Sequence, residues 1–192
     1  MSNCFLLKLD SSGEQEGLIH FGLGNWSKLH NCKATTDTNA NIYAVGPGGS
    51  LGLQLFKFDS TGAEEWRKEF GSDKHDEAYK VVADQNDFIY VVGQNWGTFS
   101  GGNEAENGPG GFLVKFDGTG NQIWVRQHSS SGGTVTPQTA AIDNENNIVI
   151  GGRVAGKLDV YGGKETGHYD FFLLKYNSDG DLLQKNKISK FE

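Results

Sequence analysis

The residues that could do chemistry in this chain are scattered. His75 stands next to Asp76, His168 lies two places before Asp170, and His128 is alone. An imidazole beside a carboxylate can relay protons, and closely spaced histidines can hold zinc. No two of these histidines have ligand spacing, so we expect neither a metal centre nor a catalytic set from them. Cys4 and Cys32 are the only cysteines and form no Cys-x-x-Cys unit. The spacing leaves their pairing open, and we expect two free thiols. "NSDGD" at 177–181 lacks the alternating acids and distal Glu of a calcium loop. "GLGNWS" starts like a phosphate-binding loop but follows no βα unit. No cofactor is implied and no catalytic residue can be nominated.

Binding is better supported than turnover. Two long Gly-rich stretches, 94–111 and 153–170, hold Trp96, Glu104, Glu106, Asp159, Tyr161, His168 and Tyr169. Shorter loops carry Trp26, His30, His75, Asp76 and Glu77. Aromatic faces beside carboxylates and imidazoles can stack on a ligand and hydrogen-bond its polar groups. We take Trp26, His30, Trp96, Glu104, Glu106, Asp159, Tyr161, His168 and Tyr169 as the candidate partner-binding residues. Packing against the protein is the competing role for Trp26 and Trp96.

These loops need a scaffold, and the sequence writes it repeatedly. "LKLDSSGEQEG" (7–17), "FKFDSTGAEEW" (56–66), "VKFDGTGNQIW" (114–124) and "LKYNSDGDLLQ" (174–184) are one hairpin in four versions. Apolar residues flank Lys8, Lys57, Lys115 and Lys175 with the period of two of a strand. Asp10, Asp59, Asp117 and Asn177 follow, and Gly13, Gly62, Gly120 and Gly180 come three places later. An Asx side chain caps such a turn, and Gly supplies a positive φ. We therefore read Asp10, Gly13, Asp59, Gly62, Asp117, Gly120 and Gly180 as structural turn residues.

A second hairpin alternates with the first at 32–46, 79–93 and 138–152, each copy ending in Gly. Asp37, Asp84 or Asp143 opens its turn and Ile42, Ile89 or Ile148 starts its return strand. We expect about fourteen strands and no long helix. Phe58, Phe116, Leu9 and Tyr176 should be equivalent, as should Trp66, Trp124, Ile19 and Leu183, with the two tryptophans in the core. Burial should be greatest in the second four-stranded repeat (78–127), where Val82, Ile89, Val91, Leu113 and Val114 should be nearly inaccessible. Gly97/Phe99 and Gly156/Leu158 suggest that each long loop returns one side chain to its sheet.

Four short strands per repeat is the grammar of a β-propeller blade. "FLLKYNSDGDLL" and "AYKVVADQNDFIYVVG" resemble the bacterial-type β-propeller repeat named for seven-bladed propellers, with an NHL-like blade pattern. The resemblance covers residues 5–190. It implies an all-β single segment of antiparallel blades: a half-blade at 5–21, then blades at 32–70, 78–127 and 138–190. Such a ring is incomplete within 192 residues. Continuation in a longer chain, self-association or another chain would complete it, with contacts at residues 4–9 and along 138–190.

The repeat occurs in secreted and cell-surface proteins, which favours an extracellular setting, although no signal-peptide pattern opens the sequence. A net charge of −7 argues against a nucleic-acid surface, and no apolar run suits membrane insertion. The expected function is a non-catalytic interaction module for protein or glycan. A calcium-dependent lectin and a channel-site enzyme are the alternatives. The enzyme is disfavoured because the innermost strands read "KATTD", "KVVAD" and "TAAID", small and apolar apart from Lys and the turn Asp.

Overall fold

A computed structural model of the chain describes residues 4–21, 32–48, 52–102, 109–158, 160 and 169–188. Among them there is no α-helix, as the strand periodicity predicts. An opening hairpin pairs β1 (Cys4–Leu9) with β2 (Gln15–Phe21). Sheet 1 follows in the order β3 (Lys33–Thr36), β4 (Ile42–Pro47), β5 (Leu53–Phe58) and β6 (Glu64–Phe70). Sheet 2 holds β7 (Asp76–Ala83), β8 (Ile89–Asn95), β9 (Gly110–Phe116) and β10 (Gln122–His128). Two-residue strands β11 (Ser130–Ser131) and β14 (Lys157–Leu158) pair with each other. Sheet 3 holds β12 (Val135–Ile142), β13 (Ile148–Ala155), β15 (Tyr169–Tyr176) and β16 (Leu182–Ile188). The described residues hold sixteen strands instead of fourteen because β11 and β14 form inside connections that carry no strand pattern. All pairings are antiparallel. The first strands β3, β7 and β12 lie beside one another in succession.

The turns form as their residues dictate. Asp59 Oδ1 accepts from the backbone N–H of Thr61 and Ala63, both at 2.9 Å, and Asp117 Oδ1 does the same for Thr119 and Asn121. Asp10 repeats this with Ser12 and Glu14. Gly13, Gly62, Gly120 and Gly180 have φ between 82° and 91°, a region costly for side chains with a Cβ. Three of these glycines also sit under the preceding sheet. A Cβ on Gly62 would meet Ile19, on Gly120 it would meet Lys68 and Trp66, and on Gly180 Arg126 and Trp124. At Gly13 it would meet nothing within 4 Å, because no sheet precedes the opening hairpin among the described residues.

The same seam revises the tryptophans. Trp66 and Trp124 are half-buried at the margin of the core, packed against it but not inside it: the Trp66 indole N–H donates to Gly118 O (3.2 Å), and that of Trp124 to Ser178 O (3.1 Å). Each reaches the turn of the following sheet and ties the two together. Their equivalents also need correcting. Trp66 lies opposite Lys57 and Trp124 opposite Lys115, whereas Gly17 lies opposite Lys8 and Gln184 opposite Lys175. Ile19 instead faces Leu6, and Leu183 falls at a bulge outside the pairing. One residue is skipped there in every outer hairpin (Glu16, Glu65, Ile123, Leu183), so face counting by twos fails across it. Phe58, Phe116, Leu9 and Tyr176 are equivalent as expected, facing Glu64, Gln122, Gln15 and Leu182.

Hydrophobic layers fill the spaces between consecutive sheets. Val45 and Leu55 of sheet 1 pack with Val91 and Val114 of sheet 2, and Val92 and Leu113 pack with Ile150 and Leu174 of sheet 3. Phe56 and Phe58 meet Phe21 and Ile19 of the opening hairpin. Ile89, Val91, Leu113 and Val114 are inaccessible, but Val81 and not Val82 completes the set. Tyr79 bulges between Ala78 and Lys80 and shifts the faces by one. Cys4 and Cys32 are disulfide-bonded, with Cα atoms 6.1 Å apart, contrary to the expectation of free thiols. Folding brings both sulfurs against Gly46, a meeting that their separation of 28 residues does not announce.

Candidate aromatic binding site

Antiparallel order puts the loops after the second and fourth strands of each sheet at one end. Trp26, His30, Glu104, Glu106, Asp159, Tyr161 and His168 lie outside the described residues. Trp96 and Tyr169 are described, and both are exposed, at 36% and 56%.

Trp96 follows β8 directly, and the loop carrying it is pinned from two sides. Buried Gln127 accepts from Phe99 N (3.0 Å) and donates to Gly97 O (3.1 Å). Ser72 bridges to Phe99, which is itself buried, so the loop does return a side chain to its sheet; Leu158 does the same in the later loop. A Cβ on Gly97 would collide with Ser72 and Asp73, so a side chain there would displace the loop. Trp96 N donates to His75 O (3.0 Å), and the two rings lie 4.9 Å apart at 53°.

Polar groups line up beside this pair. His75 Nε2 is 3.1 Å from Glu77 Oε1, and Tyr79 OH donates to Glu77 Oε2 at 2.6 Å. Gln94 Oε1 lies 3.2 Å from the same hydroxyl, while Gln94 Nε2 donates to Val135 O and so fixes the group to sheet 3. Burial, then the hydrogen bond and charge of Glu77, push the Tyr79 hydroxyl up; Arg153 pulls the other way. Arg153 also stacks its guanidinium 5.1 Å from the Tyr169 ring. Trp96 and Tyr169 thus stand on different sheets, with Glu77 and the Tyr79 hydroxyl beside the His75–Trp96 pair and Arg153 against Tyr169. The arrangement offers an aromatic platform flanked by donors and acceptors, suited to a polar ligand with a flat apolar face.

Sequence reasoning missed Tyr79, Gln94, Arg153 and Gln127. Tyr79 stands at the bulge and Gln127 on an outer strand, so neither follows the strand alternation. His168 lies outside the described residues, so its pairing with Asp170 is not described. His128 is buried and 2.6 Å from Tyr176 OH, and Asp76 turns from His75 to accept from Ser72 N (2.6 Å) and Ser72 Oγ (2.8 Å). Among the described residues no group of three His, Cys, Asp or Glu is placed to hold a metal ion.

Burial outweighs the Ser72 hydrogen bonds and raises the Asp76 carboxyl to about 6. Between the ordinary carboxylate range and about 6 the folded chain therefore holds a proton that the unfolded chain has released. Stability at this position falls as pH rises through that window. Asp76→Asn should remove this slope, so the difference in urea midpoint between variant and parent should change from pH 4 to pH 6.5. A constant difference would show that the carboxyl ionises normally.

No family model matches the chain, and no curated protein does. Among solved structures it is similar to a protein of unknown function from Bacteroides caccae, with a TM-score of 0.53 and 10% identity. The match covers 93% of this chain and 52% of that one, so the chain spans about half the length of that protein. At this identity the likeness concerns the fold alone.

Proposed function

We propose that the chain is a β-propeller segment, its sheets being blades of the repeat family it resembles, and that it serves as a non-catalytic interaction module. Three features support the blade reading: first strands β3, β7 and β12 adjacent in succession, a conserved order within each sheet, and a seam that repeats from Ile19–Gly62 to Trp66–Gly120 to Trp124–Gly180. Both ends keep apolar faces in water: Phe5, Leu7 and Leu9 at one, Phe171 and Leu173 at the other. Within the repeat these positions pack on a neighbouring sheet, which favours a larger assembly, completed by another copy or another chain.

The loop face is the binding surface, for glycan or protein. The observation that carries this is Trp96, exposed on a pinned loop, with His75 and the Glu77–Tyr79 pair beside it. Rigid presentation of an exposed aromatic lowers the entropy cost of stacking. Screening the chain on glycan and peptide arrays should give a binder whose affinity falls about tenfold or more with Trp96→Ala, equivalent to ~1.4 kcal/mol. Glu77→Gln should weaken the same binder. An array without a binder, or binders indifferent to both substitutions, overturns the proposal.

A further inference from the structure

In each complete sheet the second strand hydrogen-bonds to the Lys-bearing third strand: β4 to β5, β8 to β9 and β13 to β15. β1 is the equivalent Lys-bearing strand, yet its sheet order among the described residues contains only β2. Beside β1 a cleft of about 730 Å³ runs between the opening hairpin and sheet 1, lined by Leu6, Lys8, Ile19, Thr35, Ile42 and Gly62. Its walls are therefore the elements that an inner strand pair would touch.

The three complete sheets show what fits. Ile42, Ile89 and Ile148 lie opposite Phe58, Phe116 and Tyr176, the position of Leu9 in β1. Tyr43, Tyr90 and Val149 lie opposite Lys57, Lys115 and Lys175, the position of Lys8. Gly46, Gly93 and Gly152 lie opposite Gln54, Phe112 and Phe172, the position of Phe5. That glycine is sterically required in sheet 2, where a Cβ on Gly93 would meet the Glu77 backbone oxygen first and then the Phe112 ring. The aromatic faces the Lys ammonium: the Tyr43 ring lies 5.8 Å from Lys57 Nζ, and that of Tyr90 5.4 Å from Lys115 Nζ. The Lys57 side chain is 16% exposed, whereas that of Lys8 is 51% exposed.

We infer that the free edge of β1 is a strand-acceptor site whose ligand is a β-hairpin with the edge strand Ile-Tyr/Val-x-x-Gly running antiparallel to β1. A second copy of the described region is not the donor, because its three inner hairpins are already paired in their own sheets. Backbone bonding would supply the affinity, and Ile opposite Leu9, the ring over Lys8 and Gly against Phe5 would set the register. The inference uses the blade reading above but not the ligand of the Trp96 face.

A synthetic hairpin with the sequence of residues 76–95 tests it, titrated against the full chain by calorimetry and hydrogen exchange. We expect binding, with slowed exchange of the amides of residues 5–9. Ala34→Arg, at an exposed position lining the cleft on β3, should weaken binding about tenfold or more. A peptide carrying Asp in place of Ile89 should lose binding to the same degree, a readout that the folding of the chain cannot affect. No binding, protection at an edge other than β1, or indifference to both changes would overturn the site. Trp96→Ala should leave hairpin binding unchanged, which separates this result from any failure of the loop-face reading.

Discussion

Truncating Leu113 to Ala should lower folding stability by about 2–4 kcal/mol, measured as a shift of the urea midpoint at unchanged slope. Leu113 is inaccessible and sits in the layer between sheets 2 and 3 with Val92, Ile150 and Leu174. The rigid strands on both sides cannot close over the vacated space, so the cavity adds to the lost transfer energy. Leu173 occupies the equivalent position in sheet 3, two places before its Lys, but no sheet follows sheet 3 among the described residues and Leu173 is 39% exposed. Leu173→Ala should therefore cost under about 1 kcal/mol in the isolated chain. Equal losses at the two positions would show that Leu173 is covered in solution. That outcome would locate a partner on the end of sheet 3.

Replacing Asp84 with Ala should cost about 2–3 kcal/mol, more than Asp10→Ala in the same kind of turn. Asp84 Oδ1 accepts from Asn86 N (2.8 Å) and Phe88 N (3.0 Å), as Asp10 does from Ser12 and Glu14. Asp84 is buried, however, and its second oxygen also takes the Tyr90 hydroxyl at 3.2 Å. It is the first charge that favours the ammonium of Lys115, which burial pushes down. That ammonium stands 3.9 Å over the Phe88 ring and donates to Ser178 O at 2.7 Å, so it links sheet 2 to the turn of sheet 3. Alanine leaves a buried hydroxyl and a buried cation short of a partner at once. Asp84→Asn keeps an acceptor and should lose about half as much. If Asp84→Ala and Asp10→Ala cost the same, the Asx turn alone carries the residue and the Tyr90–Lys115 network is idle.

Most of the architecture was legible in the sequence because its rules are local. The Lys–Asx–Gly spacing specifies a hairpin within eleven residues, and repeating it four times specifies repeated sheets. Face assignment failed where a residue bulged. Glu16, Glu65, Ile123 and Leu183 interrupt the alternation in one strand only, which a count by twos cannot register. The proposed binding site was legible only as exposed aromatics on loops. Glu77, Tyr79, Gln94 and Arg153 come together across two sheets, and strand patterning says nothing about which polar side chains meet there.

By itself, the sequence determined that this protein is all-β, built of paired hairpins with Asx-capped, glycine-closed turns. Those features depend on backbone φ and on hydrogen bonds spanning four residues or fewer. Tertiary structure alone decided that Cys4 meets Cys32, that Trp66 and Trp124 reach the following sheet's turn, and that β1 borders an open cleft. Each of these depends on how one sheet seats on the next. Seating is set by shape and packing between residues 28 to 54 positions apart, where no local periodicity reaches.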